Sequence, residues 1–278
     1  MKRGFPDWIA YLAVVVMIVL VVRGRRENAE APRSPAVPIP AEEEGVGPAL
    51  RGASRFDPQV MVEAPTEAHD GVGTAFIVDD RGVWLTARHV VEGCGLVGVV
   101  AGRGRVIRAD WTIHPQADLA VLTTRGGVEP LPVTPAPAAL RQGQRAFHIG
   151  FPQGRPGEAT SRLIGRETLV VVGRGERAEP VLAWAETGRS RGLSGSLAGL
   201  SGAPALDATG RAVGVTVAEA PRRGRIYTTA PETFVQALRR APPDSTAPGA
   251  ALSVQNYGDV ADDLRRERQV AQVICLAG

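Results

Sequence analysis

Short apolar runs separated by glycine, proline and charged turns recur from about residue 73 to residue 230, and this pattern predicts strands, not helices. A first series covers 73–78, 83–86, 96–100, 105–109 and 119–123, with Asp80-Arg81-Gly82 as the turn between its first two strands. A second covers 145–149, 163–164, 168–172, 180–185, 203–206, 212–217 and 226–229, and the proline-rich stretch 130–140 reads as the crossover between the two. Helical spacing emerges only at 231–238, where Pro231 and Glu232 open a helix and Phe234 and Leu238 share a face before Pro242-Pro243 ends it. Residues 259–275 read as a short charged helix running into an apolar strand at 270–274. We place both in a C-terminal tail, 241–278, outside a β-rich domain spanning 59–240.

The N-terminal pattern is different. Residues 8–22 are uninterruptedly apolar, with Lys2 and Arg3 before them and Arg23, Arg25 and Arg26 after. Segment 1–23 is therefore expected to be a membrane anchor or signal segment. As a helix the run reaches roughly 22 Å, short of the ~30 Å hydrocarbon core, so flanking residues must help it cross. Ala29-Glu30-Ala31 has the small-x-small pattern of a cleavage site but lies behind charged residues, so we expect an uncleaved single-pass anchor. From 24 to 58 the chain is rich in proline and alanine, carries the acidic run Glu42-Glu43-Glu44 and lacks a sustained hydrophobic period, as a tether does.

Composition narrows the classes. The net charge of +3 is mild and its arginines are scattered, so no nucleic-acid partner is expected. Cys94 and Cys275 have no paired spacing and no histidine at zinc-site offsets, so no metal is expected. The residues leave two readings of these cysteines open: unrelated thiols, or one disulfide joining the tail to the first lobe of an exported domain.

The chemistry lies in motifs that occur in a fixed order. Thr86-Ala87-Arg88-His89-Val90-Val91 supplies a histidine, Asp118-Leu119-Ala120-Val121-Leu122 an aspartate, and Gly199-Leu200-Ser201-Gly202-Ala203-Pro204 a serine between glycines. A serine hydroxyl is a weak nucleophile near neutral pH; it needs an imidazole to take its proton and a buried carboxylate to orient that imidazole. Asp110 lacks the apolar strand that follows Asp118. Ser194 lacks the proline and strand that follow Ser201. His69, His114 and His148 are read as structural.

With these motifs, Gly73-Thr74-Ala75-Phe76-Ile77-Val78 and His148-Ile149-Gly150-Phe151-Pro152-Gln153-Gly154, the chain resembles the trypsin-like serine proteases, most closely those of Deg/HtrA type, from about residue 71 to 238. The resemblance implies an all-β, two-β-barrel chymotrypsin-like fold, its first barrel ending near 135 and its second starting near 141, to which the sequence pattern adds an N-terminal transmembrane helix and a short C-terminal helix. It implies Ser201 as nucleophile, His89 as general base and then acid, Asp118 as orienting carboxylate, and the N–H groups of Gly199 and Ser201 as oxyanion hole. No cofactor is implied, and the partners are polypeptide substrates.

Gly195 stands where relatives that cleave after arginine or lysine carry an aspartate. A small or medium apolar residue is therefore expected before the scissile bond, with Ser194, Gly195 and Ser196 in the pocket wall. The chain is too short after the protease lobe for the PDZ module common in Deg/HtrA proteins, so control is expected in loops, self-association into a homo-oligomer, the tail or the tether. The positive-inside rule alone leaves the domain in the cytoplasm; the enzyme class overrules it in favour of an inner-membrane protein with a periplasmic protease domain. The rival reading is a catalytically silent, protease-like scaffold that binds peptides at the membrane.

Overall fold

The computed structural model describes residues 47–278 apart from 65, 66, 68, 103, 135, 137, 138, 174 and 175. The expected membrane segment and most of the tether lie outside the described residues. Strands dominate. β2 (Gly71–Asp79), β3 (Val83–Thr86), β4 (Cys94–Val100), β5 (Val106–Ile113), β6 (Ala120–Thr124) and β13 (Val270–Ala277) close into a barrel in the order β13-β2-β3-β6-β5-β4. The first turn is glycine-dependent as expected: Gly82 sits at φ 99°, and an added Cβ would crowd the carbonyl oxygens of Gly126 and Thr124.

Strand β13 corrects the sequence reading, which leaves it in a tail. Ala271, Val273 and Cys275 turn one face into the barrel, and Val273 pairs with Gly73 of β2 on one side and Val99 of β4 on the other. Without it both neighbours would present unpaired backbone groups along an open edge. The expected helix before it is α3 (Tyr257–Arg266). Cys94 and Cys275 are joined by a disulfide, with Cα atoms 5.5 Å apart, which fastens β13 to β4.

The second sheet contains β7 (Arg145–Gly150), β8 (Gly157–Gly173), β9 (Arg177–Arg189), β10 (Pro204–Leu206), β11 (Ala212–Ala220) and β12 (Arg225–Thr229). Its order is β8-β7-β10-β11-β12-β9, and β8 also pairs with β9, so hydrogen bonding runs around a ring. The two runs at 163–164 and 168–172 are parts of the single strand β8. Register shifts at Thr160/Ser161 and Leu163/Gly165 interrupt its alternation, as bulges do, which is why the sequence breaks it in two. β1 (Gln59–Ala64) lies parallel to the far half of β8.

Two short helices matter for placement. α1 (Arg88–Val91) follows β3 directly. α2 (Pro231–Arg240) has Pro231 at its start, Glu232 in the first turn and Arg239 and Arg240 in the last, matching the helix dipole. Phe234 and Leu238 of α2 join Phe76, Leu85, Phe147 and Tyr257 in one apolar cluster drawn from both sheets.

Candidate active site

His89 is carried by α1, Asp118 by the turn entering β6, and Ser201 by the turn entering β10. All line one cleft of about 250 Å³. The His89 N–H donates to Asp118 Oδ1 at 2.9 Å, and Nδ1 lies 2.7 Å from Oδ2. With Nδ1–H donating to the carboxylate, Nε2 is left as the proton acceptor. The Asp118 side chain is 3% exposed and that of His89 39%, so the pair is anchored in the interior and open at one face. Burial alone would depress the His89 pKa, but the charge and hydrogen bond of Asp118 prevail and raise it. Burial likewise opposes ionisation of Asp118, yet His89 and Arg177 hold its carboxyl below the usual range.

The serine turn is built for exposed N–H groups. Gly199 has φ 96° and Gly202 φ 88°, and a Cβ on Gly202 would overlap the Thr74 carbonyl oxygen. Leu200 N–H and Gly202 N–H donate to Leu197 and Thr216, whereas Gly199 and Ser201 N–H donate to no partner among the described residues. Two such donors on one turn can receive an oxyanion.

Thr74, which the sequence reading passes over as one strand residue among many, pins this turn. Its N–H donates to the Ser201 carbonyl at 2.8 Å, and its Oγ1 donates to the Gly199 carbonyl at 2.7 Å while accepting the Phe151 N–H at 3.1 Å. Thr74→Val leaves two buried backbone groups unpaired, and we expect a loss of about 1–3 kcal/mol by urea unfolding, with Thr74→Ser close to the parent. A loss below about 0.5 kcal/mol in the valine variant would show that the hydroxyl is dispensable.

Arg177 and Glu179 of β9 join the site without a sequence signature: Arg177 ion-pairs with Asp118 at 3.1 Å, and Glu179 accepts the Asp118 N–H at 2.8 Å. A lone arginine two positions from a glutamate in a strand carries no local signal.

Ser194, Gly195 and Ser196, expected in the pocket wall, lie beside the cleft that holds His89 and Ser201. The cleft is walled by Leu197 and Ala198, the residues just beyond, together with Val217, Ala218 and Ile226. Ser194 and Ser196 carbonyls instead hold the Gln153 amide, Gly195 accepts from Arg189, and Ser196 Oγ donates to Glu219. Gly195, at φ 73° with open space around it, belongs to a projecting turn.

Asp110 is exposed on β5. His148 is fully buried between Thr216 Oγ1 at 3.0 Å and Ser161 Oγ at 2.8 Å, and burial depresses its pKa to about 3, so it is a neutral structural residue.

A barrel, a buried carboxylate behind an imidazole, and a serine whose own N–H and that of Gly199 have no partner among the described residues thus meet in one structure. The description "Trypsin-like peptidase domain" matches residues 73–215, just over half of the sequence. The chain belongs to the trypsin-like peptidase family. HhoB, a protein of Synechocystis sp. assigned as a serine protease, is 31% identical over 170 residues, covering 59% of this chain and 38% of that protein. HhoA of the same organism is 30% identical over 154 residues, covering 53% and 37%. The chain thus spans less than half the length of these relatives. Among solved structures, the HtrA-type protease AlgW with a decapeptide matches 60% of this chain and 50% of that one at 18% identity and a TM-score of 0.44.

Proposed function

We propose that this protein is a serine endopeptidase that hydrolyses peptide bonds through an acyl-enzyme. Ser201 Oγ attacks the carbonyl carbon as His89 Nε2 takes its proton, and Asp118 stabilises the imidazolium that forms. The Gly199 and Ser201 N–H groups receive the charge that develops on the carbonyl oxygen. His89 then protonates the departing amine and activates the water that releases the acyl group. The reading is carried by one observation: the His89–Asp118 pair, bonded at 2.7 Å, lines the same cleft as Ser201. Labelling with a fluorophosphonate probe tests it, because Ser201-dependent labelling is expected, and its absence even with unfolded protein substrate present favours the scaffold reading.

An apolar residue is expected before the scissile bond. Leu197, Val217 and Ile226 line the cleft, and both oxygens of Glu219 are taken by the Leu197 N–H at 2.8 Å. Cleavage of a randomised peptide library should therefore favour alanine, valine or leucine at that position; dominance of arginine or lysine would overturn this preference.

The protein is further read as an inner-membrane enzyme tethered through residues 8–22, with its protease domain on the periplasmic side. The apolar run supports the tether, and the Cys94–Cys275 bond fits an oxidising compartment. Protease accessibility in spheroplasts tests the orientation: protection of the domain there would place it in the cytoplasm.

A further inference from the structure

Asp118 is held from two directions by one strand. Arg177 Nη2 lies 3.1 Å from Oδ1, the same oxygen that accepts the His89 N–H, and so leaves Oδ2 to the imidazole. Glu179 Oε1 accepts the Asp118 N–H at 2.8 Å, and Arg177 Nε lies 3.4 Å from that oxygen. The Arg177 side chain is 9% exposed and that of Glu179 1%. Glu179 Oε2 is buried with no hydrogen-bond partner. Val181 and Ala183 of the same strand fill the core, and a buried carboxylate with an idle oxygen is costly.

We propose that Arg177 and Glu179 are positioning residues of the triad: Arg177 fixes the Asp118 carboxylate, Glu179 fixes its backbone, and together they set the charge that His89 faces. The inference rests on the triad reading above. Arg177 partly offsets the negative charge of Asp118, so the imidazolium is stabilised less and Nε2 stays free to accept a proton at lower pH. Glu179 acts in the opposite sense when ionised. Burial, then the neighbouring charge of Asp118, push its pKa up to about 7. As pH falls through neutrality Glu179 takes up a proton, the surroundings of His89 become more positive, and protonation of His89 is resisted.

The other charged groups around this cluster are Arg88 on α1, which is paired with Glu92, and Glu63 of β1 and Glu219 of β11, which line the cleft.

The test is the titration of the His89 imidazole by NMR in the full chain carrying Ser201→Ala, which makes the readout independent of turnover. Arg177→Met should raise the midpoint by about one pH unit, Arg177→Lys should restore it, and Glu179→Gln, which keeps an acceptor for the Asp118 N–H, should lower it. With Ser201 present, the acid limb of fluorophosphonate labelling should move with these midpoints. Slower labelling at every pH with unmoved midpoints is the result of a merely structural role. Unmoved midpoints in Arg177→Met and Glu179→Gln, both with native circular dichroism, overturn the proposal; Glu179→Gln decides if Arg177→Met does not fold. Displaced midpoints with no Ser201-dependent labelling would overturn the protease reading and leave the pair standing.

Discussion

Ser201→Ala is expected to lower kcat for peptide hydrolysis by about 10⁶-fold, leaving the fold intact. The side chain lost is one hydroxyl in a turn whose geometry is held by backbone bonds from Thr74, Leu197 and Thr216, none of which uses the serine Oγ. His89→Ala should cost about as much, and the double variant little more, because nucleophile and base act as one unit and either loss removes the same step. Asp118→Asn is expected to cost about 10⁴-fold, since the amide can present an N–H to Nδ1 and favour the wrong tautomer. Steady-state kinetics on a fluorogenic peptide, with each variant purified from a host lacking contaminating peptidases, give all four values. Retention of activity within tenfold of the parent by Ser201→Ala would remove Ser201 from the chemistry.

The second large effect is on stability. Replacing both Cys94 and Cys275 by alanine should lower the unfolding free energy by about 2–5 kcal/mol. The bond joins residues 181 positions apart, so its loss restores a great deal of freedom to the unfolded chain. It also fastens the strand that closes the first barrel, so the same change loosens β13 against β4. Urea unfolding should give the same loss for the double variant and for the parent kept in reductant. Midpoints unchanged in both would show that pairing and packing hold β13 without the bond.

What could be read from the sequence follows the range of the interactions involved. His89, Asp118 and Ser201 each sit in a local context with its own signature, so they are recognisable one at a time. The Asp80-Arg81-Gly82 turn is equally local, because its requirement for positive φ falls on a single glycine. Thr74 is different: its role depends on Gly199, 125 positions away. Glu179 reaches Asp118 across 61 positions, and no spacing rule links them. β13 reads as an apolar strand, but nothing local places it in the barrel, since its partners begin at Gly71 and Cys94. The lining of the cleft is not legible in the sequence, because Gly195 projects outward in a turn and Leu197 and Ala198 face the cleft.

Because β13 lies between β2 and β4 in space but last among the described strands in sequence, the first barrel cannot close until the residues of β13 have been made. At about 5–20 residues per second, the 181 positions between Cys94 and Cys275 amount to roughly 10–40 s of synthesis. During that interval β2 and β4 lack the strand that joins them. The order of the strands therefore delays closure of the barrel that carries His89 and Asp118 until β13 has emerged.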